Sequence, residues 1–529
     1  MRPINSKVIG LILTLLVSFF FIGYMLFLGD NVLDPGDGIK YFTIAFISVI
    51  ILLLEKYGRF KSVSKNTLFI VPSLLLIYVL VRAFNVSFII DEAMSYDILL
   101  NKPYYFKALI FDDSHFYIAN NHVLNTLFGY ISYYTLGDSP FAFRIFNVLA
   151  FVVYSYYSVK IIKLFSKSRM SAIIGLVFLF LNPFMLEFFS LYRGYGLSLA
   201  CASGLIYNFS KYCFEEQELK FVVRGTAFSV LAIYANFALL IPVFIVQILC
   251  LVFINKSIKV TEILKRKETL IFILSAIFLI PAVSNILILS ELKELYFGGD
   301  SSFVNDTLNS FVEYTLYSKN ELDRIVLTVT IVLMVLYALF FSKSKELLYI
   351  TFVIIGLAIF PTVLNFLLET KFVIERASLY VIPFFGIFFM VLYDNYLKQK
   401  WIKVVLSFML IFLTVSAVKK SIKSYNINTT TTWRTDSNNK DVLIDVLELN
   451  NNNSFSLAVF WVFEDVTKYY AERYSLKQLQ SIKRLGSNKP IEPGIDYYYV
   501  RKSDLNRVTF KYETVKEYML SGTVIIKEK

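Results

Sequence analysis

About thirteen apolar runs follow one another along this chain, near residues 8–28, 40–54, 67–83, 142–164, 170–190, 195–212, 221–235, 237–254, 269–290, 324–342, 346–368, 378–397 and 401–418. No other feature limits the fold as tightly. In hydrocarbon every main-chain N–H and C=O must be satisfied within the chain, so runs of this length dictate bilayer-crossing helices. Composition agrees: 57% of the 529 residues are hydrophobic, against roughly 45–50% in soluble domains, and mean hydropathy is +0.62. The first run, Val8 to Leu28, is too long for a signal-peptide core and has no evident cleavage site, so it reads as a retained helix.

The cations give the runs a direction. With the N-terminus in the cytoplasm and the runs alternating, the inner loops hold Lys56, Arg59, Lys61 and Lys65, then Lys163, Lys167 and Arg169. Further inner loops hold Lys256, Lys259, Lys265, Arg266 and Lys267, then Lys343 and Lys345, then Lys398 and Lys400. The outer loops keep chiefly Lys102, Lys107, Arg193, Lys293, Lys371 and Arg376. This assignment explains the net charge of +12 better than a nucleic-acid partner does. It puts the 84–141 loop and the C-terminal tail on the same extracytoplasmic side, as in a bacterial inner (plasma) membrane protein.

The expected organisation is a multi-spanning module over residues 1–420 and a soluble extracytoplasmic α/β domain over 421–529. Asn and Thr runs (Asn426 to Thr432, Asn450 to Asn453) mark the change. Asp441 to Leu449 reads as an amphipathic helix, and Ser456 to Val462 and Tyr497 to Val500 read as strands. Within the 84–141 loop, Tyr104 to Asp113 suits a helix in the interface plane, and Val123 to Tyr134 has similar amphipathic character. Gly298-Gly299-Asp300 marks a turn in the polar 291–323 loop.

Four constellations fall on the predicted outer face. Asp91-Glu92 follows the third run; a partly desolvated carboxylate there can take a proton from an attacking hydroxyl, and a neighbouring acid can orient it. The bland alternative is a charged helix end at the water interface. His122 and Arg144 flank the next interfacial stretch, where they can shape a site or hold a phosphate, or else lie at the interface and snorkel. Tyr192-Arg193-Gly194-Tyr195-Gly196 sets a cation where the sidedness rule disfavours one, calling for a lipid phosphate, a headgroup or Glu187 as partner. Lys371 and Arg376 are a second outer cation pair, with Glu369 and Glu375 as the local alternative partners. Three Cys and two His show no ligand spacing, so neither a metal site nor a cofactor is required, although Asp91 and Glu92 can bind a divalent cation.

The order of these features resembles the GT-C glycosyltransferases, in the branch of protein O-mannosyltransferases and bacterial aminoarabinose transferases. The resemblance is carried by the acidic pair in the first large outer loop, the Asn120-Asn121-His122 segment and Gly137-Asp138-Ser139-Pro140-Phe141-Ala142-Phe143-Arg144. Arg193-Gly194-Tyr195-Gly196 and Glu375-Arg376-Ala377-Ser378-Leu379-Tyr380-Val381-Ile382-Pro383 complete it. It implies a GT-C-like fold, a polyprenyl-phosphate sugar donor and a protein, glycolipid or glycan acceptor, with inversion by single displacement on the extracytoplasmic side. Asp91 would be the base and Glu92 its orienting neighbour. Arg193, Lys371 and Arg376 would hold the departing phosphate, and His122, Arg144, Tyr192 and Tyr195 would complete the substrate site. A transporter or lipid flippase would show mid-bilayer charges or repeated half-helices, and a polysaccharide polymerase or ligase would rely on outer arginines and a His.

Overall fold

The computed structural model describes residues 67–97, 118–254, 266–316, 321–395 and 400–529. Two of the expected spans, 8–28 and 40–54, and the interfacial helix expected at Tyr104 to Asp113 lie outside them. Each of the other eleven apolar runs is helical over most of its described residues. Seven described helices are long and apolar enough to cross a membrane: Leu68–Asn85, Pro140–Phe165, Phe237–Ile254, Lys267–Glu291, Arg324–Phe341, Lys345–Leu368 and Val404–Ile422. Arg169–Phe180 and Val381–Asp394 are shorter apolar helices.

The run expected at 170–190 is broken. Helix Arg169–Phe180 stops at Leu181, and a five-residue helix, Pro183–Glu187, starts afresh. Pro183 has no N–H to continue the ladder, and the Asn182 side chain caps the new turn by accepting from Met185 N at 3.1 Å. Between this break and the next helix the chain turns inward through Phe188 to Arg193, all of it buried.

Four helices frame the functional end: α1 (Thr67–Asn85), α2 (Ile90–Ser95), α3 (Val123–Leu136) and α4 (Pro140–Phe165). Ser139 caps α4 by accepting from Ala142 N at 3.1 Å, and Pro140 takes the first helical position, where an N–H would go unused. Helix α5 (Gly194–Phe214) runs through the middle of the bundle. Gly, Ala and Ser line its first three turns, so neighbouring backbones pack close against it, and nearly all of it is buried.

After helix Lys400–Ser424 the chain forms a five-stranded sheet: β1 (Phe455–Phe460), β2 (Leu479–Leu485), β3 (Tyr497–Arg501), β4 (Tyr512–Tyr518) and β5 (Thr523–Glu528), in the order β2-β1-β3-β5-β4. β1 pairs parallel with β2 and β3, while β5 pairs antiparallel with β3 and β4. Strand alternation decides what each face meets. Ala458, Tyr498, Val500, Val524 and Ile526 build a small core on one face. Leu457, Val459, Tyr497, Tyr499 and Ile525 point the other way, into a core shared with Phe88, Ala93, Tyr96, Phe143 and Tyr192 of the helical module. The sheet domain and the turn bearing the acidic pair are therefore packed as one body.

Candidate functional site

The short helix α2 carries Asp91 and Glu92 at its start, where unpaired N–H groups attract carboxylates. Glu92 turns inward and is fully buried. Its Oε1 accepts from Arg144 Nε at 2.8 Å and from the main-chain N of Tyr192 at 2.6 Å. Its Oε2 accepts from Arg144 at 2.5 Å and from the N–H of Ile89 at 3.0 Å. Arg144 has no exposed surface, and its remaining donors reach the carbonyls of Ala83, Val86 and Ser87 at 2.8–3.0 Å, closing the C-terminal end of α1. Arg144 and Glu92 form a forked, desolvated pair that fixes the turn, and every donor of Arg144 is taken by protein.

Asp91 faces the other way. Its main-chain oxygen accepts from Ser95 Oγ at 2.8 Å and Asn120 Nδ2 at 2.9 Å, which ties the His122 segment to α2. Its Oδ2 is buried, lies 3.4 Å from the guanidinium of Arg193, and has no hydrogen-bond partner among the described residues. The Arg193 guanidinium also lies 3.4 Å from Nε2 of His122, whose ring sits edge-on to Tyr195 with centroids 4.9 Å apart. Burial, and the Arg193 and Arg376 charges, hold the His122 pKa well below its usual value, so the ring is neutral and offers Arg193 an acceptor. Gly194 is what allows this approach: a Cβ there would lie 2.1 Å from the Ala235 carbonyl and 2.6 Å from His122 Cβ.

Arg376 enters from the connection before helix Val381–Asp394. Its guanidinium lies over the rings of Phe297 (4.1 Å) and Trp433 (5.1 Å) and pairs with Glu375 at 3.8 Å. The Nε atoms of both Arg193 and Arg376 are buried without a hydrogen-bond partner among the described residues. Tyr192 lies against Gly129 and Phe143, and its hydroxyl is likewise buried and unpartnered there. The structure thus gathers Asp91, His122, Arg193, Tyr195 and Arg376. It sets Glu92 and Arg144 behind them as a buried support. Lys371 is placed differently: it is partly exposed and pairs with Asp300 on the Gly298–Asp300 turn, which bridges to Phe372 through paired 2.9 Å hydrogen bonds.

Two site residues come from a segment that sequence reasoning passed over. Trp433 packs on Phe188 and Arg376, and Asp436, 1% exposed, accepts the N–H of Ile90 through Oδ2 at 2.8 Å. The segment is anchored by the buried Arg82, which donates to the carbonyls of Asn426 (2.6 Å) and Thr429 (2.8 Å). Glu187 accepts from the N–H and hydroxyl of Thr431. The available signal was a tryptophan, one of three in the chain, set in Trp433-Arg434-Thr435-Asp436 just after the last apolar run. Among the described residues, no group of three or more His, Cys, Asp or Glu side chains is arranged to hold a metal ion.

No family model matches the chain, and no curated protein does. Among solved structures it is similar to ArnT from Cupriavidus metallidurans. The form bound to undecaprenyl phosphate aligns at 9% identity over 88% of this chain and 98% of that one, with a TM-score of 0.49. The apo form aligns at 9% identity over 86% and 96%, with a TM-score of 0.45.

Proposed function

We propose that this chain is a GT-C-type membrane glycosyltransferase that moves a sugar from a polyprenyl-phosphate donor to an acceptor hydroxyl on the extracytoplasmic side. One observation carries the reading: a buried Asp91 carboxylate oxygen without a hydrogen-bond partner lies beside Arg193, which in turn meets a neutral His122 that feels the Arg376 charge, and the Nε groups of both arginines are also unpartnered among the described residues. Such groups are costly unless a ligand completes them, and this set suits a hydroxyl on one side and a phosphate on the other.

In the proposed reaction Asp91 accepts the proton of the acceptor hydroxyl as its oxygen attacks the anomeric carbon. The bond from that carbon to the phosphate oxygen breaks, the configuration inverts, and the polyprenyl phosphate leaves with the electron pair. Arg193 and Arg376 hold the leaving phosphate, and His122, kept neutral, accepts from Arg193 and orients it. Glu92 and Arg144 keep the turn rigid, so Asp91 needs little reorganisation as the proton moves.

The test is transfer by purified protein from a synthetic polyprenyl-phosphate sugar. Asp91→Asn is expected to lose about 10²–10⁴-fold in rate per folded protein. Near-normal turnover of that variant removes Asp91 as the base. Ser301→Cys is expected to react with an impermeant thiol reagent added outside intact cells; reaction only after permeabilisation reverses the sidedness.

A further inference from the structure

Asp436 belongs to the segment that links the last membrane helix to the sheet domain, yet its carboxylate ends at the turn that carries Asp91. Oδ2 accepts the N–H of Ile90, the residue before Asp91, at 2.8 Å, and the side chain is buried. The flanking chain is pinned on both sides. Ser87 Oγ donates to the Ser437 carbonyl at 2.9 Å, and Lys440 Nζ donates to the Asn85 carbonyl at 2.6 Å. Position and charge are therefore both delivered to the turn by the segment that leads into the sheet domain.

We propose that Asp436 is a positioning residue: it fixes the turn bearing Asp91, and its own charge sets how strongly the site holds an anionic lipid phosphate. This rests on the donor class proposed above.

Among the described residues Asp436 has no cationic partner. Asp91 is the acid it faces across the turn, and Glu92 on the same helix is neutralised by Arg144. Arg434, two residues earlier, donates instead to the Leu520 carbonyl, and Lys440 to Asn85. Asp441 lies in the first turn of the next helix, Tyr499 of β3 lies nearby, and the Tyr470 hydroxyl oxygen accepts the N–H of Phe88. Thr435 offers a weak hydroxyl contact at 3.5 Å. Burial raises the Asp436 pKa to about 7; the Ile90 N–H holds it down in part, and the Asp91 charge adds to the rise. Below that value the site carries one negative charge fewer. Above it, a second carboxylate opposes the phosphate that Arg193 and Arg376 attract.

The experiment uses the full-length protein in lipid nanodiscs with undecaprenyl phosphate as the probe, titrated from about pH 5.5 to about pH 8.5 to bracket the carboxyl. Asp436→Asn keeps an amide oxygen for the Ile90 N–H but has no charge, and Asp436→Ser removes the charge with a different shape; either folded variant decides. The phosphate monoester gains charge in the same window, so the quantity read is the ratio of wild-type to variant Kd. That ratio is expected to rise roughly threefold to tenfold as pH passes about 7, the scale of one added charge in a partly hydrated site. Asp436→Glu is expected to restore the pH dependence, which a purely structural role would not do. A ratio that stays constant with pH, while all the proteins bind the lipid, overturns the proposal and leaves the donor class standing. Absence of lipid-phosphate binding by the wild type overturns both.

Discussion

Glu92 and Asp91 are neighbours in sequence, and removing their charges separately is expected to give opposite results. Arg144→Met strands the Glu92 carboxylate in a site with no solvent, beside a side chain that offers no donor. It also frees the carbonyls of Ala83, Val86 and Ser87 at the end of α1, which Arg144 alone serves through side-chain donors among the described residues. Breaking a buried pair in this way costs about 3–5 kcal/mol, chiefly through the charge left behind. Glu92→Gln is milder, because one amide oxygen still accepts from Arg144. Its NH2 group, however, must face one of three donors: Arg144, Ile89 N–H or Tyr192 N–H. The double variant, Arg144→Met with Glu92→Gln, is expected to recover part of the loss of Arg144→Met alone, since the stranded charge is gone.

Two measurements on the same preparations check this: thermal melting in detergent and transfer rate per folded protein. Arg144→Met should melt several degrees below the wild type, the double variant should lie between them, and Asp91→Asn, whose pair with Arg193 is longer and partly exposed, should lose less than Arg144→Met. A Glu92→Gln protein that melts like the wild type but loses transfer as completely as Asp91→Asn would refute the division of labour and put Glu92 in the chemistry.

Further expectations concern the cations and the third acid. Arg376→Lys keeps the charge but loses the planar stack on Phe297 and Trp433, so the donor KM is expected to rise about tenfold with kcat nearly unchanged; an unchanged KM removes Arg376 from the donor site. Asp436 has a folded pKa of about 7 against an ordinary 3.8, so its contribution to stability is full below about pH 4 and is lost as pH rises through about 7. The ceiling is about 4 kcal/mol. Asp436→Asn should therefore gain in melting temperature relative to wild type as pH rises over that window, and a gap independent of pH contradicts the burial of its charge.

The membrane helices were legible because hydrocarbon leaves the backbone one solution, and each of these eleven apolar runs became helical over most of its described residues. The break at Asn182-Pro183 was written in the sequence as a cap followed by proline. Helix Asn439–Leu449 and strands β1 and β3 were legible from periodicity and apolar content. β2 and β4 were not, because they are the sheet's two edges and read as polar stretches, Leu-Gln-Ser-Ile-Lys-Arg-Leu and Tyr-Glu-Thr-Val-Lys-Glu-Tyr. β5 carries Val524-Ile525-Ile526, a signal that could have marked it. Asp91, His122 and Arg193, expected on one face from the cation pattern, do lie together in the fold. The separation of Glu92 from Asp91 was not legible, because sequence adjacency hides the roughly 100° between successive side chains on a helix. Asp436 lies about 345 residues from Asp91, and only the folded chain brings the two together.

Three acids meet around one turn, and environment assigns each a different part. Glu92 is buried with a guanidinium and two main-chain N–H groups, so its charge is neutralised and its position fixed. Asp436 is buried with the Ile90 N–H, a weak Thr435 contact and no cationic partner among the described residues, so burial raises the pKa of its carboxyl. Asp91 alone keeps a carboxylate oxygen free of hydrogen bonds among the described residues while a cation lies 3.4 Å away. The N–H groups of Phe88, Ile89 and Ile90 go in turn to Tyr470, Glu92 and Asp436, so two of the three consecutive donors that hold the turn are satisfied by the C-terminal domain and its linking segment. Orphaned buried donors are expensive. The turn can therefore hold this shape only with that domain docked, and the geometry around Asp91 is a property of both parts of the chain together.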